Sequence, residues 1–324
     1  MQRTTLSLRG LEIFQLLAKS GSVQKVASDT GLSISTVSHH LKNLEDSLGV
    51  GLMDHSRRPM ILTPSGSIFL RHIEDGLRMI RRGEIELTSG NLVEARELRF
   101  GIVDDFDSEV APELAEFLAR AMPRCTFKHH TRPSHEILGL LLDQKLDVGV
   151  ATRPTGDAPG LVEYPVLYDP FILSTPIDCE EAPEDLLSGN AKLPLLRYAR
   201  SQIIGQLIEA QLRRLRVSLP NRFEMESNHS VLGMVAEGGG WAITTPASYA
   251  RAKRFHGRIA LRPFPGRGFA RTISLFTTEV YPQPAAEIIL ETLRRLIARH
   301  VVDPITAQHP WLLPGFQLLS EKGI

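Results

Sequence analysis

Residues 11–63 read LEIFQLLAKSGSVQKVASDTGLSISTVSHHLKNLEDSLGVGLMDHSRRPMILT. Three short helical patterns lie in this stretch, parted by Gly21-Ser22 and by Gly31-Leu32-Ser33. Its centre has the form of a helix-turn-helix: residues 23–30, a turn at Gly31-Leu32, then residues 34–47. Ser33 can cap the second helix, because its hydroxyl can accept from a free backbone N–H of the first turn. Val37, Leu41, Leu44 and Leu48 recur at spacings of four, three and four, which makes one buried stripe. Away from that stripe stand Ser33, Ser35, Thr36, Ser38, His39, Lys42 and Asn43. Groups of this kind approach phosphates and base edges without needing a large pocket. A basic loop at residues 54–59 and an apolar return at residues 60–62 follow, the outline of a wing. Arg57 and Arg58 sit at its tip, within reach of a minor groove or a phosphate. A bare three-helix packing module would share the periodicity, and the wing argues against it.

On these residues the chain resembles the LysR-type transcriptional regulators. The resemblance is carried by Leu11, Phe14, Gly21-Ser22, Ala27, Ser33, Val37-Ser38, Leu41, Leu44-Glu45, Leu48-Gly49, Leu52 and the closing Leu62-Thr63-Pro64-Ser65-Gly66. It continues more loosely to about residue 300. The chain departs from the family at Val26, Thr30, Ile34 and His39, where relatives usually carry Ala, Leu, Gln and Arg. It departs again at Leu52-Met53-Asp54-His55, where Leu-Phe-x-Arg is common. Ile34 and His39 lie at or near the DNA-facing surface, so operator preference does not transfer from relatives. The resemblance implies an α/β protein with an N-terminal all-α winged helix-turn-helix and a C-terminal two-lobed effector domain like the periplasmic binding proteins. It implies a sequence-specific DNA-binding regulator, activator or repressor or both, modulated by a small molecule between the lobes. The partners implied are double-stranded promoter DNA, the effector, RNA polymerase, and further copies in a homodimer or a homotetramer built as a dimer of dimers. No cofactor is implied.

Length and composition fit this reading. The chain has 324 residues, enough for two or three domains. A hydrophobic content of 42% and a charged content of 23% describe a globular protein. The 37 basic and 37 acidic residues balance, so DNA contact must come from local placement of charge. Residues 1–66 hold Arg3, Arg9, Lys19, Lys25, Lys42, Arg57 and Arg58 against Glu12, Asp29, Glu45, Asp46 and Asp54. That modest basic excess predicts weak binding by one copy. Cys125 and Cys179 are too far apart in sequence for a metal or CxxC pattern, and no metal site is expected. No signal peptide and no apolar run of membrane-spanning length are seen, so a cytoplasmic protein is expected.

The reading divides the chain into residues 1–66 as the winged domain, 67–90 as a linker helix, 91–300 as the effector domain and 301–324 as a C-terminal extension. Thr63-Pro64 opens a long helix, cap followed by proline. Leu70, Ile73, Leu77, Ile80 and Leu87 then follow a three-four repeat, read as a dimerisation seam; a surface helix packed on its own effector domain is the alternative. Residues 90–95 form a hinge. Strands at 98–103, 125–129 and 146–151 alternate with helices, which implies parallel pairing in lobe I, about 97–168 and 270–300. A strand at 167–174 crosses into lobe II, about 174–268, and one at 271–277 returns. The extension carries Trp311, Leu312, Leu313 and Phe316, expected to pack on its own domain or on a partner subunit.

By position, the resemblance maps the family's cleft onto Asp104 and Asp105, Thr131 and Ser134, and Thr152. In lobe II it maps to Arg200, Ser201, Asn228 and Thr245. Relatives often have a small hydroxyl residue after the first strand, where this chain has Asp104, Asp105 and Asp107 around Phe106. Acids at the mouth favour a ligand with a cationic group, amine-bearing or zwitterionic. Phe106, Tyr168 and Phe171 offer aromatic faces to an ammonium, while Arg200 and the N–H groups after Ser201 suit one carboxylate. Alternatively these acids cap the next helix or face solvent. No catalytic residues are assigned, since GxSxG and HExxH are missing. A small-molecule-converting enzyme fused to a helix-turn-helix would need a cleft acid or base poised for proton transfer. A purely architectural DNA-binding protein would leave the two-lobed part without work.

Overall fold

The computed structural model describes residues 6–87 and 97–319. The chain divides into two compact units, Met1–Ser89 and Gly90–Ile324. The hinge assigned to residues 90–95 and the side chain of Leu87 lie outside the described residues.

The first unit opens with helices Leu8–Ser20, Val23–Thr30 and Ile34–Leu48. Ser7, Ser22 and Ser33 cap them, each hydroxyl accepting from a first-turn backbone N–H. Gly21, Gly31 and Gly49 end them at φ 62°, 68° and 70°, the left-handed conformation that costs glycine least. Ile13, Phe14, Leu17, Val26, Val37 and Leu41 fill the core between them. Strands Met53–Asp54 and Ile61–Leu62 pair antiparallel as the wing. Glu45 ties wing to helix. One carboxylate oxygen accepts from the backbone N–H groups of Leu52 at 2.7 Å and Met53 at 3.0 Å, and the other lies 3.3 Å from His55.

Helix Pro64–Leu87 starts where the Thr63-Pro64 signal puts it, with the Thr63 hydroxyl accepting from Gly66 N–H at 2.9 Å. Its first turns pack on helix Leu8–Ser20, with the rings of Phe14 and Phe69 6.0 Å apart. This changes the expected seam. Ile73 belongs to the winged unit's own core and Leu70 packs against it. Leu77 is buried as well, whereas Ile80 is 44% and Ile68 53% exposed. The stripe is therefore used intramolecularly at its N-terminal end, because the small three-helix core lacks a wall that only this helix supplies.

The second unit holds a six-stranded sheet in the order Gln317–Leu318, Leu161–Pro170, Ala270–Thr278, Val148–Thr152, Glu97–Ile102 and Thr126–Thr131. The last three strands run parallel and the others pair antiparallel. A second lobe holds Ala242–Thr244, Ile172–Pro176 and Ile259–Pro263 in one antiparallel sheet, and Leu196–Tyr198 parallel to Phe223–Met225 in another. The expected crossing strand is split at Pro170-Phe171 into Leu161–Pro170 in one lobe and Ile172–Pro176 in the other. Phe171 stacks on Phe269 of the returning crossing, ring centroids 4.2 Å apart and planes 7° apart. Phe171 N–H also donates to Phe269 C=O at 2.9 Å. The two crossings are thereby clamped to each other.

Helix Gln283–Ile297 widens into a π turn over Ala298–Val302, then continues as Asp303–Gln308. The extension packs on its own domain only in part, since Trp311 and Leu313 are 41% and 58% exposed. Leu312 and Phe316 are buried, and Gln317–Leu318 pairs with Tyr168 and Leu167, covering a sheet edge. Among the described residues no helix is long and apolar enough to cross a membrane.

Gly66 shows how tightly wing and helix meet. A Cβ placed there would fall 2.0 Å from the carbonyl oxygen of Leu52. Alanine is the better helix former by about 1 kcal/mol, yet Gly66→Ala is expected to destabilise the first unit, by roughly 1–3 kcal/mol, because backbone cannot yield as a side chain does. Calorimetric unfolding of the full chain checks this; an unchanged or raised transition contradicts the packing.

Candidate DNA-facing surface and ligand cleft

Of the sequence-predicted DNA residues all but the half-buried Thr36 are exposed. Ser33 Oγ lies 2.7 Å from Ser35 Oγ and 2.8 Å from Thr36 Oγ1, and it accepts from Thr36 N–H. These three hydroxyls therefore hold one another. Ser38, His39 and Lys42 are exposed further along the helix, with His39 Nε2 3.1 Å from Asn43 Nδ2. Arg57 and Arg58 are exposed on the wing. Arg57 lies 3.5 Å from Asp54, whose carboxyl is held below its usual value by hydrogen bonds from Ser56.

In the second unit a cleft of about 230 Å³ opens between the two lobes. Val103, Asp104 and Asp105 line it after strand Glu97–Ile102, and Thr131, Arg132, Pro133 and Ser134 after Thr126–Thr131. Thr152 and Arg271 complete that wall. The facing wall is Gln202, Ile203 and Ile204 with Glu226, Ser227 and Asn228. Helices Ser134–Leu142, Ile203–Arg214 and Asn228–Ala236 all begin at the cleft, and none has a side-chain cap. Ser134 instead accepts the backbone N–H of Thr152 at 3.0 Å, fixing the end of that strand. Uncapped first turns leave N–H groups and the positive helix end turned towards the opening, a setting that favours an anion.

Beneath the cleft lies a buried charge network. Arg271 Nε donates to Asp169 at 2.8 Å, and its Nη2 donates to Asp105 and to Thr245, each at 3.0 Å. Asp105 also accepts from Ser248 at 2.7 Å and Asn228 at 3.1 Å. Burial disfavours the Arg271 charge, but the carboxylates of Asp105 and Asp169 outweigh it and raise its pKa. Burial pushes the Asp169 carboxyl up, and Arg271 opposes that. Asp107 is matched separately by Arg251, at 2.9 and 3.2 Å.

Asp104 is the acid left over. It is part-exposed at the cleft, accepts from Asn228 at 2.9 Å and lies 3.7 Å from Arg251. Burial first, and the neighbouring Asp105 charge second, push its carboxyl up to about 7. Asn228 is contributed by the opposite lobe and bridges Asp104 and Asp105.

Of the expected cleft residues, Asp104, Asp105, Thr131, Ser134, Thr152 and Asn228 do line it. Four do not. Phe106 is 1% exposed and turns into the hydrophobic core, because the short 3-10 turn Asp104–Phe106 carries its third side chain inward. Arg200 and Ser201 are exposed off the cleft, Arg200 lying 4.0 Å from Glu209. Thr245 is fully buried, capping helix Pro246–Arg251 and accepting from Arg271. The aromatic faces are not there either: Phe171 is buried against Phe269, and Tyr168 lies on the strand that pairs with the extension. Nor do the acids cap the following helix, Val110–Ala121, whose start has no side-chain cap. Sequence reasoning missed Arg271, Asp169, Arg132, Glu226 and Ser227. A signal for the first two existed: each is a lone charge beside a strongly apolar strand sequence, and in the sheet register they face each other directly.

A winged helix-turn-helix joined to a two-lobed domain with an interlobe cleft defines a ligand-responsive DNA-binding regulator. Residues 8–67 match the family described as bacterial regulatory helix-turn-helix protein, lysR family, and residues 92–298 match the LysR substrate binding domain. The chain is 24% identical over 269 residues to the HTH-type transcriptional regulator BbuR of Bordetella bronchiseptica, covering 82% of each. It is 22% identical over 275 residues to a hydrogen peroxide-inducible genes activator of Pectobacterium carotovorum, covering 82% of this chain and 89% of that one. Its fold is similar to that of an OxyR cysteine mutant from Corynebacterium glutamicum, with a TM-score of 0.72, 20% identity and 94% and 96% of the two chains covered. It is similar too to a probable transcriptional regulator from Pseudomonas aeruginosa, with a TM-score of 0.63, 18% identity and 90% and 97% covered. The chain belongs to the LysR family. It is a DNA-binding transcriptional regulator with a ligand-binding C-terminal domain.

Two outcomes follow from the charges. The Asp104 carboxyl has a pKa of about 7 when folded against 3.8 unfolded, so the unfolded chain releases its proton first as pH rises. Its contribution to stability therefore falls between about pH 4 and 7 and is flat above. Asp104→Asn is expected to match the wild type near pH 4 and to exceed it at pH 8 by about 1 kcal/mol after solvent screening. Thermal unfolding across pH checks this, and a variant less stable at pH 8 contradicts it. Arg271→Met leaves two buried carboxylates facing each other and is expected to cost roughly 3–5 kcal/mol; a variant as stable as the wild type in urea unfolding contradicts the network.

Proposed function

We propose that the cleft between the lobes holds a small effector with both a carboxylate and a cationic group, and that its occupancy changes how the protein engages promoter DNA. The arrangement of the cleft walls supports this: three uncapped helix starts open on the cleft with two acids, Asp104 and Glu226, and Asp104 has only Arg251 at 3.7 Å where Asp107 has it at 2.9 Å. A carboxylate suits the helix starts, and an ammonium beside Asp104 would draw that carboxyl into its charged form. Asn228 joins the two lobes at the same spot, so an effector there competes with or reinforces the contact between lobes. Coupling of such a kind amounts to about 1–3 kcal/mol.

Contact with DNA falls to Ser38, His39, Lys42, Arg57 and Arg58, with Ser33, Ser35 and Thr36 at the start of the reading helix. Two copies pair through helix Pro64–Leu87, on which Ile68 and Ile80 are exposed. Effector domains pair again into a dimer of dimers in the cytoplasm, and contact with RNA polymerase transmits the outcome. The functional limits are residues 1–66 for reading DNA, 67–90 for pairing, 91–300 for the effector and 301–324 for covering the sheet edge.

Peroxide sensing, suggested by the names of some relatives, finds no support in Cys125. Burial pushes the Cys125 thiol up to about 11, which keeps it from the thiolate form that peroxide attacks. Cys125 and Cys179 are both free.

The test is a thermal-shift screen of the full chain against amino acids, amines, betaines and simple carboxylates. A stabilising zwitterion is expected, with the shift lost in Asp104→Asn. Stabilisation by plain carboxylates that survives Asp104→Asn rejects the cationic half of the reading.

A further inference from the structure

From the exposed face of the reading helix we infer that Ile34 is a base-reading residue, recognising the C5-methyl group of a thymine in each half of the operator. Ile34 is the first residue of helix Ile34–Leu48 and is 53% exposed, while Val37 and Leu41 on the inner stripe are 0% and 2% exposed. Single exposed apolar side chains are ordinary on protein surfaces, so exposure alone decides nothing. The neighbours decide. Ser35 and Thr36 are bonded to Ser33, and His39 is within bonding distance of Asn43. The polar groups of the first turn are thus already engaged within the protein, and Ile34 projects beside them with no polar group to satisfy.

The fold does not explain the residue. Ile34 fills no core, and a β-branched side chain at an exposed helical position is slightly worse than a straight one. The start of a recognition helix is the part that meets base edges in the major groove. There the thymine methyl is the one strongly apolar feature a base pair presents. An isoleucine in that position gains by covering a methyl and gains nothing from the donors and acceptors of other bases. The inference rests on the DNA-reading surface proposed above.

The test uses the full chain. An operator is selected from a pool of random duplexes, and each thymine is then replaced by deoxyuracil, which removes only the methyl group. For the wild type, one replacement per half-site is expected to weaken binding about four-fold, the transfer value of one methyl group. Ile34→Ala is expected to bind thymine and uracil duplexes equally, and Ile34→Val to keep a reduced penalty. Equal wild-type affinity for both duplexes, or an Ile34→Ala variant that keeps the full penalty, overturns the inference. Failure to enrich any sequence would instead overturn the DNA-reading surface itself, with circular dichroism verifying that the chain is folded.

Discussion

The second unit depends on one guanidinium. Arg271 lies 3% exposed between two carboxylates, Asp105 at 2% and Asp169 at 0%. Removing three charges from water is costly, and the cost is offset only because each has partners in good geometry. That requirement fixes much else. Asp169 must lie opposite Arg271 in the antiparallel register, which sets how strands Leu161–Pro170 and Ala270–Thr278 pair. Asp105 must turn inward immediately after strand Glu97–Ile102. Thr245 and Ser248 must come from the other lobe to complete the shell. The network is therefore a polar joint between the lobes as well as the floor of the cleft.

The joint lies close to the crossings. Asp169 is two residues before Phe171, and Arg271 two after Phe269, so the buried ion pair and the stacked rings sit on the same two chain segments. A relative motion of the lobes must be absorbed near these segments or at contacts beyond them. The contact made by Asn228 is the more easily altered, since it is a neutral amide on carboxylates at the rim, whereas Arg271 exchanges charge for charge in the interior. Different parts of one network thus serve permanence and change.

Much of the winged unit was legible in sequence because its signals are local. Serine caps, glycine stops and the four-three-four stripe each act within a few residues, and the structure places them where the pattern does. The parallel strands of the first lobe were legible for the same reason. The cleft was readable in outline only. Asp104, Thr131, Ser134 and Asn228 follow from the family resemblance, which maps the cleft to strand ends and helix starts. What each acid does was not readable, because Asp105, Asp107 and Asp104 differ only in partners 123 to 166 residues away, Asn228, Arg251 and Arg271. Adjacent identical side chains with three different fates cannot be told apart by any local rule. The aromatic residues failed likewise: Phe106, Tyr168 and Phe171 have the right chemistry for a cation and the wrong direction.

Charge accounting then narrows the chemistry of the cleft. With Asp105 and Asp169 held by Arg271, and Asp107 by Arg251, the three-aspartate mouth shrinks to a single acid. A carboxyl with a pKa near 7 is not a fixed negative charge. Burial favours its protonated form, which can donate a hydrogen bond as well as accept one. Beside a cation it ionises, and beside an anion it stays neutral. The helix starts impose no such choice, since their partial positive charge is permanent. Among the three aspartates, Asp104 is thus the one whose proton responds to a ligand, a cation favouring its charged form and an anion its neutral form.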